Sequence, residues 1–212
     1  MYPCEATSTA GFIQQLAVSY VTNHYWFYVA GRIPAHKDPQ RTDEKILRQY
    51  DIDISKWTRT RRKKAGFANL HYLRCHRFFV IIATAGLHPF FESEKQTLRD
   101  IRRHPLGFAG YSVGCVRAGN RWHPSVRIER RTFETLKRRF RARALGAVEK
   151  LGAELKRLPF EPYAPIRRQY LSLWRMINRL RAAAGLELIP VTALRLRRNP
   201  VVTLRRKSDQ AP

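Results

Sequence analysis

From Phe133 onward, apolar side chains return at three- and four-residue steps. Phe133, Leu136, Phe140, Ala144, Val148, Leu151, Leu155 and Leu158 form a single stripe, the pattern of a helix with one buried face. That periodicity predicts one helix over 133–158, roughly 39 Å long, stopped by Pro159. A Pro-rich joint over 158–165 follows. A second helix then runs to Gly185 on the stripe Ile166, Tyr170, Leu173, Ile177, Leu180 and Ala184. Two helices joined so closely are expected to fold as an antiparallel hairpin, burying their stripes together or against a sheet.

Upstream, the periodicity shortens. The aromatic and β-branched run Tyr25–Ile33 reads as a strand bounded by Pro34. Asp38-Pro39 opens a helix with Asp43 and Glu44 early and with Ile46, Leu47 and Tyr50 inward. A short helix from Ser55 to Ala65 is stopped by Gly66. Asn69–Arg74 and Phe78–Thr84 read as strands joined by a tight turn. Ser93 and Gln96 have capping-box spacing for a helix reaching Arg103. Gly107–Val116 and Ser125–Ile128 read as a last hairpin around Ala118-Gly119-Asn120. The order β-α-α-β-β-α-β-β predicts an α+β fold: an antiparallel sheet backed by short helices, then the helical hairpin and a basic tail. The corresponding division is 1–129, 130–190 packed on it, and a C-terminal arm over 191–212, mobile from Arg195.

Charge narrows the function. The 212 residues carry 41 Lys plus Arg against 16 Asp plus Glu, a formal net charge of +25. Residues 1–55 hold five basic and six acidic side chains, so the whole excess begins at Lys56. An imbalance of this size favours a polyanionic partner, nucleic acid first and an anionic membrane surface second. With 44% hydrophobic residues a core can form, which excludes wholesale disorder. Cys4, Cys75 and Cys115 are odd in number and far apart, so they make neither a disulfide framework nor a zinc pattern. They are expected as thiols in a reducing cytoplasm. No secretory signal is expected, and the apolar run Phe78–Phe91 is too short to span a bilayer.

Catalytic constellations do not assemble in the sequence. The seven histidines never form HxH or HExxH, and there is no Walker loop, GxGxxG or GxSxG. Neither a metal nor an organic cofactor is expected. Glu92, Glu94 and Asp100 surround one short segment and read as helix-start charge. The enzymatic alternative is a diverged nuclease or transposase-like component using Tyr28 or Tyr111 with scattered acids. Leu106-Gly-Phe-Ala-Gly-Tyr-Ser-Val113 resembles the aromatic strand of RNA-recognition motifs, although Phe108 and Tyr111 stand three apart and so face opposite sides. Tyr28-Val-Ala-Gly-Arg32 resembles the opening strand of single-tyrosine transposases, a family whose HxH metal pair is missing here.

The binding signal is wider. Cations interleave with aromatics at Trp57, Arg59, Arg61, Arg62, Lys63 and Lys64, and again at Arg121 and Trp122. Basic groups displace counterions from phosphates and exposed aromatic faces stack on unpaired bases. Trp57 and Trp122 also suit a core, and both assignments stay open. A second basic surface is expected on the outer faces of the C-terminal helices: Arg130, Arg131, Arg138, Arg139, Arg168, Arg175 and Arg179. Arg205 and Arg206 in the arm add reach. The expected partner is RNA or DNA, with a slight preference for RNA or single strands because no helix shows a major-groove reading set. A larger ribonucleoprotein containing this chain as a subunit is the further alternative.

Overall fold

Three six-residue segments rich in aromatic and branched side chains, with a two-residue edge strand, build the main sheet. In the computed structural model, which describes residues 2–205, strands β1 (Phe27–Arg32), β2 (Leu70–Cys75), β3 (Phe78–Ala83) and β4 (Arg99–Asp100) pair antiparallel in the order β2-β3-β1-β4. Phe27 lies opposite Ala83, and Leu70 lies opposite Ala83 from the other side. Because strand side chains alternate, Val29, Leu70, Tyr72 and Ile81 share one face. That face carries a core with Tyr50 and Ile52, against which Ile46 and Leu47 pack from α2 (Pro39–Gln49). The α2 start forms as predicted: the Asp38 carboxylate accepts the Arg41 N–H at 2.8 Å and Pro39 fills a first-turn position.

The opposite face meets an element that charge and periodicity did not announce. The sequence predicts only a strand in the uncharged stretch 6–31. Its first half is instead helical: α1 (Thr9–Gln14), a π-helical continuation (Gln15–Tyr20) and a 3₁₀ turn (Val21–Asn23). Ser8 caps α1 by accepting the Gly11 N–H at 3.0 Å. Phe12, Ile13, Leu16, Ala17 and Tyr20 are buried, with Phe12 edge-on to Phe78. Covered on both sides, β2 is buried at five of its six positions.

The outer edge of β2 is also covered. Cys4–Ala6 runs alongside it, Arg74 N–H donating to Cys4 O and Ala6 N–H to Arg74 O, each at 2.7 Å. The chain beyond Pro200, expected as part of a mobile arm, returns beside this segment. Thr7 N–H donates to Thr203 O at 3.2 Å and Arg205 N–H to Glu5 O at 2.9 Å, so backbone pairing fixes the arm as far as Arg205. Its last residues lie outside those described.

A second antiparallel sheet, β5-β6-β7, comprises Leu106–Phe108, Tyr111–Ala118 and Arg121–Ile128. The hairpin around Gly119 forms, but β7 begins at Arg121 rather than Ser125. The capping-box helix over 93–103 does not form. Helix α4 (Phe90–Ser93) ends where that helix was expected to begin, because the buried Phe90 draws the turn upstream and the His88 ring caps its N–H at 3.1 Å. Between α2 and β2 lies α3 (Lys56–Lys64).

The predicted 39 Å helix is also two: α5 (Arg130–Arg143) and α6 (Val148–Lys156). Its stripe is buried as expected at Phe133, Phe140, Ala144, Leu151, Leu155 and Leu158. The break comes from α7 (Ala164–Ala183), where Arg181 replaces the expected Ala184 as the last inward residue. Its guanidinium donates to Ala144 O at 2.9 Å and Gly146 O at 2.7 Å, holding open carbonyls that a continuous helix would have used internally. Gly185 stops α7 as predicted, at φ +66°, with its N–H on Ala182 O and the Leu186 N–H on Arg181 O. Helix α5 packs against α7. The chain forms two compact units. Among the described residues, one takes 2–106, Val113–Pro124 and 201–205; the other takes Gly107–Ser112 and Ser125–Pro200. Among the described residues no helix is long and apolar enough to cross a membrane.

Candidate nucleic-acid interface

Helix α3 owes its start to Ser55, whose hydroxyl accepts the Thr58 N–H at 3.1 Å, and none of its residues is buried. Trp57 is 75% exposed, which settles it outside the core. The basic run that follows is not uniform. Arg59 turns inward, donating to the backbone carbonyls of Leu70 and Ile52, so its guanidinium is engaged in holding the fold. Arg62 pairs with Asp51. Arg61, Lys63 and Lys64 are exposed, with no carboxylate partner among the described residues. Cations at a helix C-terminus are also favoured by its dipole, which accounts for part of this cluster without a ligand.

Arg121 and Trp122 lie at the exposed start of β7, Trp122 being 36% exposed. The structure adds two partners that the sequence reading missed. Arg102 lies 4.1 Å from the Trp26 ring centre and 5.9 Å from that of Trp122. Asp100 holds this guanidinium, accepting from Nε at 2.9 Å and from Nη2 at 2.6 Å. Two partly exposed indoles within reach of one fixed guanidinium offer a cationic, aromatic surface suited to stacking. The only signal in the sequence was the Asp100–Arg102 spacing, which carries no information about Trp26.

In the other unit, Arg130, Arg131, Arg138 and Arg139 of α5 are exposed, as are Arg168, Arg175 and Arg179 of α7. None of the seven is in an ion pair among the described residues. Steps of seven and four residues put the three α7 arginines on one line, opposite buried Ile166, Tyr170, Leu173 and Ile177. That line covers roughly 16 Å. Arg139 also lies 4.9 Å from the Phe140 ring centre. Arg205 is drawn toward Glu5 at 3.6 Å, and Arg206 lies outside the described residues.

The two tyrosines of the enzymatic alternative, and the thiols of Cys4 and Cys115, are set in the fold. Tyr28 is buried and donates to His104 O at 3.0 Å; Tyr111 is buried, donates to Pro159 O at 3.3 Å, and burial pushes its hydroxyl up to about 12. Burial, with Asp43 beside it, pushes the Cys4 thiol up to about 12, and burial raises Cys115 to about 11. Among the described residues no three His, Cys, Asp or Glu side chains gather to hold a metal ion.

His71 is clasped by aromatics: Tyr20 stacks at 4.4 Å, Tyr25 tilts at 4.9 Å, and the Tyr2 hydroxyl lies 2.5 Å from Nδ1. Burial first, and then the charge of Arg59, lowers its pKa to about 3. The folded chain therefore keeps His71 neutral where the unfolded chain, with an ordinary value of 6.5, takes up a proton. Stability from this residue is present above pH 6.5 and falls with acidification until about pH 3. The slope it contributes is up to about 1.4 kcal/mol per pH unit. Thermal unfolding followed from pH 7 to pH 4 is expected to show a shallower decline in His71→Phe than in the parent chain. Equal declines would exclude His71 as the source.

Comparison with known proteins finds no matching family model, no matching curated protein and no matching solved structure.

Proposed function

We propose that this chain binds nucleic acid by its phosphate backbone, with a preference for RNA or single strands. The observation that supports this reading best is the α7 line of Arg168, Arg175 and Arg179, exposed along one face without carboxylate partners among the described residues. Three like charges so aligned repel one another, and a polymer of anions relieves that repulsion while releasing its own counterions. Guanidinium forks suit phosphate oxygens in particular. Exposed Trp57 and Trp122 support the single-strand preference, since unpaired bases offer faces that a duplex hides.

Fluorescence anisotropy with a labelled single strand, titrated across salt concentrations, tests the reading. Each phosphate contact on a single strand contributes about −0.7 to the slope of log K against log salt. The expected slope is about −2 if Arg168, Arg175 and Arg179 alone are engaged and about −4 if Arg61, Lys63 and Lys64 are engaged as well. A flat salt dependence, or no binding at low salt, would refute phosphate recognition. Cleavage of the strand on adding Mg²⁺ would move the chain to the nuclease-like alternative.

A further inference from the structure

Next to the cationic end of α3 lies a cleft of about 840 Å³ whose walls include Tyr50, Phe67, Leu87, Pro89 and Phe91. Phe67 and Leu87 are 48% and 71% exposed. Their position is fixed. The Leu87 N–H donates to Gly66 O at 3.0 Å, and the Ala68 N–H to Leu87 O at 3.1 Å. Gly86, at φ +137°, permits this approach, since a Cβ there would lie 2.5 Å from the Ala68 nitrogen. The His88 ring is held as part of the wall, accepting the Phe90 N–H on Nδ1 with the Tyr50 backbone on its other side.

Polar groups around the cleft restrict what it can take. Asp51 and Glu92 line it, so a phosphate inside would meet like charge. Arg62 neutralises Asp51, while Glu92 and Gln49 have no side-chain partner among the described residues and offer acceptors to N–H donors. Arg61, Lys63 and Lys64, within one turn of Arg62, carry the opposite charge outside. A flat apolar body with N–H groups on its edge and an anionic link to its neighbours matches this distribution.

We propose that the cleft receives one unpaired nucleobase of a bound single strand, with flanking phosphates on Arg61, Lys63 and Lys64. This deepens the nucleic-acid reading and rests on it. The test compares the full chain's affinity for a short single-stranded oligonucleotide and for the same backbone made abasic. Loss of the bases is expected to weaken binding at least tenfold, in the range of a stacked base or more. Phe67→Ala with Leu87→Ser is expected to bind the base-containing strand roughly tenfold more weakly and the abasic strand as the parent does, with an unchanged circular dichroism spectrum. If the double variant does not fold, Leu87→Ser alone is expected to lose at least threefold on the base-containing strand only.

A variant that retains the parent's full preference would overturn the proposal, because Trp57 and Trp122 would then account for all the stacking. Equal binding of both strands by the parent would overturn it too, leaving phosphate recognition intact. No binding of either strand would remove the nucleic-acid reading and the cleft assignment together.

Discussion

Changing Arg168, Arg175 and Arg179 together to glutamine is expected to weaken single-strand binding about a hundredfold at 0.1 M salt. Three phosphate contacts at about 0.7 log units per decade of salt give this size from counterion release alone. The salt slope is expected to become shallower by about 2. All three side chains are exposed and opposite the buried stripe, so each change is expected to move stability by no more than about 0.5 kcal/mol. Anisotropy titrations at several salt concentrations, with thermal unfolding as a control, give both quantities. Unchanged affinity would remove α7 from the interface.

Replacing Asp43 with alanine is expected to give the largest loss of stability. This carboxylate is buried against β2, where it accepts from the Tyr72 hydroxyl at 2.6 Å and from Arg74 Nε at 2.9 Å. Burial pushes its pKa up, while Tyr72 and Arg74 draw it down. Arg74 is buried too and also donates to His76 O at 2.7 Å. Removing Asp43 leaves that guanidinium without its main counter-charge, a change expected to cost about 3–5 kcal/mol. For a domain stable by about 5–15 kcal/mol this is a large fraction of the total. Asp43→Leu combined with Arg74→Met is expected to cost less than Asp43→Ala alone, because neither charge is then stranded. Urea denaturation of the three chains measures the ordering, and the reverse order would show that the pair itself carries the stability.

Whether an element could be read from the sequence follows the distance over which its cause acts. The α2 start was legible because Asp38 and Pro39 act within one turn, and the β2–β3 hairpin because its alternation and turn are local. The Gly185 stop was legible for the same reason. The interruption between α5 and α6 was not, since the group responsible is Arg181. Asp43 looked like ordinary charge early in a helix until Tyr72 and Arg74 met it from another element. The candidate interface divided in the same way. Periodicity was enough to place Arg168, Arg175 and Arg179 outward. It could not show that Arg59 reaches back to two carbonyls, nor that Arg102 comes near both Trp26 and Trp122.

Arg181 also bears on the order of events during synthesis. Ala144 and Gly146 leave the ribosome some 35 residues before the guanidinium that will bind their oxygens. Until then those oxygens are left to water, or to amides four residues on if α5 extends in the register of its apolar stripe. The two contacts that meet these carbonyls therefore form only once the last helix has been made.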